Sequence, residues 1–440
     1  MTELFLFIAY FFGMITIILK SSFFKIINVN RINLIMLFTL KIVAAFITLH
    51  YYQHFENQKF NSDFHVFFFQ AEKLFIQFSN YPKELVKLIL TSKTETPEIN
   101  EQLNHLNYWN REFDYGVFND NQTMIRINLL LLFISKKCYS IHLLYFSFIG
   151  FIGLTSLIKT LTLYKKRMNN MLINGLFLFP TSLIWTSGVL KETLLISVLG
   201  TLIYLIVKLL KTSKPKYVFS ILIFLFLVIQ IKPSFFLLSL PSLIFLIINA
   251  YSNTYSSLKL FVTIHSICIF LFLITALITK TAYSKVEKDT IKYGYKFDLL
   301  RTLTYKQDDF FYEAKIKHAT STTELNRLNG EVGNLIKTIP DALQNVFLKP
   351  SILDIQVKKY WPFILENCLL IFSLLYLFKL RKKINWNSPI FLFFIGLSLT
   401  LGIFIGLLNP IIGTLVRFKS ISYLFLYCGL LSIIPYKKPC

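Results

Sequence analysis

Long apolar runs along the chain alternate with short basic clusters and with two long polar stretches. A bilayer core of about 30 Å takes roughly 20 apolar residues as a helix. On that measure the pattern predicts eleven spans, near 3–19, 32–51, 140–158, 171–187, 193–210, 217–231, 234–250, 260–280, 361–378, 389–408 and 420–435. The fold class expected is an all-α polytopic membrane protein, because only helices and closed barrels satisfy their backbone groups in lipid. Five regions follow: two spans over 1–51, a polar loop over 52–139, a six-span core over 140–280, a second polar loop over 281–360 and three spans over 361–440.

Composition supports this pattern. Hydrophobic residues make up 55% of the chain and charged residues only 16%, which excludes an ordinary soluble domain. The first apolar run follows MTELF, which has no basic n-region, so it reads as a retained span. The five cysteines lie in or beside apolar segments or at the C-terminus, a distribution that offers no disulfide framework.

Charge then gives direction. The formal net charge is +23, but its distribution excludes a nucleic-acid partner and points to anionic membrane lipids. Basic residues cluster at alternate span ends: Lys20, Lys25 and Arg31; Lys165, Lys166 and Arg167; Lys211, Lys214 and Lys216; Lys259; Lys379, Arg381, Lys382 and Lys383; Lys437 and Lys438. Cytoplasmic short loops carry such clusters. Of the 23 acids, ten lie within 52–126 and ten within 281–360, and the rest are Glu3, Glu192 and Glu366. The expectation is a bacterial inner-membrane protein with its N-terminus outside, its C-terminus cytoplasmic and both large loops extracytoplasmic.

Candidate chemistry collects at the outer boundary of this topology. In PTSLIWTSGVLKETLL, Lys191 and Glu192 fall at a hairpin between two spans, where Gly188 permits a tight reversal and Trp185 suits the interface. Lys232 in IKPSFF, with Arg417 and Lys419 in NPIIGTLVRFK, falls at the same depth. Together these cations suit a lipid-linked phosphate, against the plainer reading of snorkelling side chains. Glu192 orients Lys191 or favours the start of the next helix through its dipole.

The first loop places Asp63 just beyond a span, ahead of an amphipathic segment at 66–78 and a short apolar one at 124–135. Asp63 suits a general base acting on an acceptor hydroxyl, or simply a helix cap. His50, His54 and His65 surround it, so a divalent cation is the cofactor these residues raise, against ordinary interfacial histidines. Two charges fall within spans, Lys41 and Glu366, as a buried pair or, for Glu366, as a second acid or base near the surface. Asp308 and Asp309 read as a solvated acidic pair.

The outward span followed by Asp63 and interfacial helices, with P-T-S-x-x-W-T-S-G-x-x-K-E, K-P and N-P-x-x-G-x-x-x-R-F-K, resembles the GT-C superfamily of membrane glycosyltransferases, in a set from Bacteroidetes-like bacteria. The resemblance implies transfer of a sugar from a polyprenyl-phosphate donor to an extracytoplasmic acceptor in surface-glycan assembly. Asp63 would be the catalytic acid of the first loop, and Lys191, Lys232 and Arg417 would be phosphate ligands. Two alternatives are an O-antigen-type polymerase or ligase acting on polyprenyl-diphosphate oligosaccharides, and a non-enzymatic lipid-glycan transporter.

Overall fold

A computed structural model describes residues 2–26, 29–54, 62–91, 100–101, 103, 106, 108–109, 120–165, 170–252, 255–286, 298–316, 319, 321–354 and 358–434. Lys166, Arg167, Lys437, Lys438 and Cys440 lie outside these described residues. The described chain is helical, with one isolated antiparallel bridge, Thr322 to Ile411. Nine described helices are long and apolar enough to cross a membrane.

The other two expected spans take different forms. Residues 171–187 make two short helices, α7 (Asn170–Leu178) and α8 (Pro180–Trp185), joined at Phe179. Pro180 lacks an N–H and forces its predecessor out of the helical region, and Phe179 is correspondingly at φ −55° and ψ 133°. The run at 217–231 forms a helix of only 16 residues, α10 (Lys216–Ile231).

The chain divides into two units, Met1–Leu237 and Leu238–Cys440. The first unit is built on α6 (Tyr139–Tyr164) and α9 (Lys191–Thr212). Small residues let these helices approach closely. A Cβ on Gly153 would stand 2.5 Å from the Ser197 Cα, and one on Gly200 would stand 2.7 Å from the Gly153 carbonyl oxygen. Ser156 and Thr201 hydroxyls lie 3.2 Å apart. Contacts therefore advance together along both helices, so α6 and α9 run parallel and the broken α7–α8 segment returns the chain to the end where α6 starts.

Helices α1 (Thr2–Lys20) and α2 (Arg31–His54) confirm the alternation. Phe7 packs on Phe46 and Phe11 on Phe38, so these two helices are antiparallel. Asn33 bonds Asn174, and Lys41 bonds Thr186, so α2 runs alongside α7–α8 in the same direction. The first polar loop contributes α3 (Asp63–Gln77), α4 (Pro82–Leu90) and α5 (Asp120–Ser135). Helices α3 and α5 cover most of the amphipathic run at 66–78 and the short apolar run at 124–135. They pack on one another through buried apolar faces that include Phe67, Phe68, Ile125 and Leu129.

The second unit takes most of α11 (Pro233–Tyr251), then α12 (Ser257–Val286), α13 (Leu299–Ile316), α14 (Val332–Leu348), α15 (Trp361–Lys379), α16 (Pro389–Leu408) and α17 (Ile412–Ile433). Ser398 and Ser422 exchange hydroxyl-to-carbonyl bonds of 2.8 Å between α16 and α17. The second polar loop does not stay peripheral to this pair. Its α14 packs against α16 so tightly that a Cβ on Gly406 would lie 2.2 Å from the Ala342 carbonyl oxygen.

Candidate functional site

The turn after α8 is the hub of the first unit. The Lys41 ammonium, with no exposure, donates to the Thr186 carbonyl (2.8 Å), the Thr186 hydroxyl (2.6 Å) and the Ser187 hydroxyl (2.9 Å). Ser147 of α6 donates to the Ser187 carbonyl (2.5 Å), and Thr193 of α9 donates to the Gly188 carbonyl (2.8 Å). One turn thus fastens α2, α6 and α9. Gly188 serves space rather than backbone reversal. Its φ is not in the left-handed range, but an added Cβ would come within 2.2 Å of Phe64 Cε1. Trp185 is 7% exposed and packs inward.

Lys191 opens α9 beside this turn. Its ammonium pairs with Asp120 (2.7 Å), donates to the Asn121 side chain (2.6 Å) and lies 5.3 Å over the Phe67 ring. Asp120 and Asn121 begin α5, so the sequence-predicted cation meets an acid that the sequence reading left unassigned. Seventy residues separate Lys191 from Asn121, and no local pattern announces such a pairing. Glu192 is buried in the first turn of α9, where the helix dipole favours a carboxylate.

Asp63 is the first residue of α3, half-buried, and Ser62 is the N-cap. It immediately precedes Phe64, which fills the space at Gly188, and stands one turn before Phe67. Lys232 reaches the same end of the unit by another route. Thr123 of α5 donates to the Gln230 carbonyl (3.0 Å), which sets the α10 terminus beside the start of α5. Lys232 follows as the C-cap, its ammonium 4.8 Å over the Phe235 ring.

The histidines divide. His50 and His54 stack with centroids 4.1 Å apart. His65 is buried, with Ser62 at 3.1 Å from Nδ1 and the Gln53 amide at 3.0 Å from Nε2. Since an amide nitrogen only donates, Nε2 accepts from Gln53 and Nδ1–H donates to Ser62. Among the described residues no group of three or more His, Cys, Asp or Glu is placed to hold a metal ion. A further polar relay was not foreseen: His142 sits between Asn128 (2.8 Å) and Ser135 (2.8 Å), all three fully buried on α5 and α6. With Phe68 edge-on at 4.8 Å, this relay has satisfied partners and serves packing.

The second unit gathers the remaining candidates. Lys419, with no exposure, donates to the Lys349 carbonyl (2.6 Å), the Asn367 side chain (3.0 Å) and the Tyr423 hydroxyl (3.2 Å). Asn367 in turn donates to the Pro350 carbonyl (2.7 Å). Glu366, read either as a buried charge within a span or as an acid near the surface, is 1% exposed and accepts from the Tyr427 hydroxyl (2.9 Å). The polar partners of Lys41 are Thr186 and Ser187, so the two buried charges belong to separate networks.

Arg417 lies beside the Phe418 ring, and its carbonyl accepts from Ser420. Outside the α-helices, at the end of a short 3-10 turn over Ile352–Asp354, Asp354 binds the Ser351 N–H (2.7 Å), the Ser351 hydroxyl (2.8 Å) and the Lys349 ammonium (3.4 Å). Partial burial disfavours its charge, but these three donors outweigh burial and hold its carboxyl below the ordinary 3.8. Asp308 is half-buried and Asp309 exposed on α13, as a solvated pair would be.

No protein-family model, curated protein or solved structure matches the chain.

Proposed function

We propose that the chain is a membrane glycosyltransferase that moves a sugar from a polyprenyl-phosphate donor to an extracytoplasmic acceptor. The observation that supports this reading is the grouping at one end of the first unit: Asp63 heading α3, the Lys191–Asp120 pair, and Lys232 beside the start of α5. The short basic clusters of this unit, Lys20, Lys165, Lys211 and Lys214, mark the other end. In this reading α7–α8 and α10 complete eleven crossings in a bacterial inner membrane, with the N-terminus outside and the C-terminus cytoplasmic.

The chemistry assigned to the grouping is an inverting displacement. The Asp63 carboxylate takes the proton of the acceptor hydroxyl as its oxygen attacks the anomeric carbon. The bond from that carbon to the phosphate oxygen breaks, and the phosphate leaves with the electron pair. Lys191, aimed by Asp120 and Asn121, and Lys232 stabilise the charge gathering there. Glu192 supports the start of α9 that carries Lys191. Arg417 is assigned the same class of ligand within the second unit, with Lys419 as the buried residue that positions its helix.

Purified protein is tested with labelled polyprenyl-phosphate sugars, without a membrane gradient. Asp63→Asn, at unchanged protein level, is expected to lower product by two orders of magnitude or more, in line with the roughly 10²–10⁴ of general-base catalysis. Undiminished product sinks the assignment. The loop turn that closes over Lys419, with Arg417 two residues away, favours a second reading, a polymerase or ligase using polyprenyl-diphosphate oligosaccharides. Transfer from an oligosaccharide diphosphate, with none from a monophosphate sugar, selects it.

A further inference from the structure

The end of the first unit opposite Lys191 contains a cavity of about 350 Å³. Lys159 of α6 and Lys208 of α9 both line it, together with Tyr204, Thr201, Ser22 and Ser220. From Lys191 to Lys208 the helix advances 17 residues, roughly 25 Å at 1.5 Å per residue. The cavity is thus separate from the grouping assigned to sugar transfer.

Its electrostatics are one-sided. The Lys159 ammonium donates to the Phe23 carbonyl (2.6 Å) and lies 4.7 Å from the Phe23 ring and 5.4 Å from the Tyr204 ring. The Lys208 ammonium lies 5.2 Å over Tyr204 and 4.8 Å over Tyr217. Both ammoniums lie within 5.4 Å of the same Tyr204 ring, so the two like charges are neighbours. Among the described residues none that lines the cavity is acidic. The sequence supplies no acid nearby either: residues 4–55 contain none, and residues 127–280 contain only Glu192, at the far end of α9.

Neutral oxygens sit beside both ammoniums, the Phe23 carbonyl at Lys159 and the Tyr204 and Tyr217 hydroxyls at Lys208, but no carboxylate of the surrounding elements offsets their charge, so the cavity keeps a positive field that favours an anion. The rings supply partial compensation through their negative faces. The hydroxyls of Ser22, Thr201 and Ser220 supply neutral donors of the kind a phosphate oxygen accepts. The volume falls at the small end of the range for ligand sites. Lys20, Lys165, Lys211 and Lys214 crowd the same end of the unit, which is where anionic headgroups are drawn in a cytoplasmic leaflet.

We propose that this cavity is a phosphate-binding site filled by the headgroup of an anionic phospholipid. The site tethers the ends of α6, α9 and α10 to the leaflet. It stands whether or not the transferase reading holds.

The test is thermal unfolding of the full chain in neutral detergent with added phosphatidylglycerol, phosphatidylcholine or inorganic phosphate. Phosphatidylglycerol is expected to raise the midpoint saturably, and phosphatidylcholine is expected to leave it unchanged. Lys208→Gln is expected to weaken the apparent affinity about fivefold or more, the share one lysine carries near an anionic headgroup, and Lys208→Arg to retain most of it. A matching shift with inorganic phosphate keeps the phosphate site and assigns it to a soluble ligand. No shift with either phosphate source, or the same affinity in Lys208→Gln, overturns the proposal. Should Lys208→Gln fail to fold, native mass spectrometry of the unmodified chain from mixed phosphatidylglycerol and phosphatidylcholine nanodiscs decides. Retained phosphatidylglycerol in excess of its share supports the site, and retention in proportion removes it.

Discussion

Lys41 in the first unit and Lys419 in the second are both fully buried, yet the oxygens around them come from different kinds of source. Lys41 receives all three from two consecutive residues, Thr186 and Ser187, and none is charged. Lys419 receives one from a loop carbonyl, one from α15 and one from its own helix, with the Glu366 carboxylate acting on it from the residue beside Asn367. The first arrangement is a staple: a single turn closes over an ammonium and holds α2 in place. The second is a junction, since moving the 349–351 turn, α15 or α17 changes what the ammonium meets. A charge held by one rigid neighbour fixes structure, whereas a charge shared among three elements couples them.

The strongest way to break this contrast is to strip the staple. Thr186→Val with Ser187→Ala leaves the Lys41 ammonium with one carbonyl acceptor. The expected loss is about 3–5 kcal/mol, the usual consequence of leaving a buried charge uncompensated. Thermal melting in detergent reads it, and a loss below about 1 kcal/mol means the turn is not the staple described.

Asn367→Leu tests the junction by the same measurement. It removes an acceptor shared by Lys419 and Tyr423, with an expected cost of about 1–3 kcal/mol. The smaller figure follows from the Lys349 carbonyl and the Glu366 carboxylate remaining. Lys41→Met comes next, at about 1–2 kcal/mol, because the hydroxyls it leaves already donate to the Ser182 and Leu183 carbonyls. If the proposed sugar transfer is found, it is expected to persist in Lys41→Met, and its disappearance in folded protein would move Lys41 from staple to site.

The smallest effect concerns acidity. The Asp354 carboxyl titrates below its ordinary value, so its contribution is present above 3.8 and is lost as pH falls through the lowered value. The protection of the 349–354 amides against hydrogen exchange, taken relative to their intrinsic rates, should therefore fall only at acid pH, and Asp354→Asn should lower it at every pH. A wild-type profile without that acid limb breaks the link between the turn and the junction.

Much of the framework was legible beforehand because it depends on one-dimensional quantities. Run length gave eleven runs, nine of which are helices of crossing length among the described residues, and the Asp63–Gln77 and Asp120–Ser135 helices fell over the amphipathic run at 66–78 and the short apolar run at 124–135. Pro180 showed the limit of that logic. Hydropathy reads 171–187 as continuous, while the missing N–H divides it at Phe179. The role of Gly188 was hidden for a different reason: its need for space arises from Phe64, 124 positions away in sequence. Lys41 with Glu366 was one possible pairing of the two in-span charges, but the neutral oxygens of Thr186 and Ser187 are what the Lys41 ammonium meets.

The sequence by itself determined that this chain is helical, membrane-spanning and strongly asymmetric in charge, since a bilayer reads hydropathy and positive charge locally along the chain. It also singled out Lys191, Lys232, Arg417 and Lys419 as cations at span ends away from the basic clusters, and Asp63 as an acid just beyond a span. Only the tertiary structure decided what those charges meet. Asp120 at the start of α5 reaches Lys191, the Thr186–Ser187 turn closes on Lys41, and the Lys349 carbonyl reaches Lys419. Partnership is a property of distance in space, and packing through Gly153, Gly188 and Gly406 set those distances from residues remote in sequence.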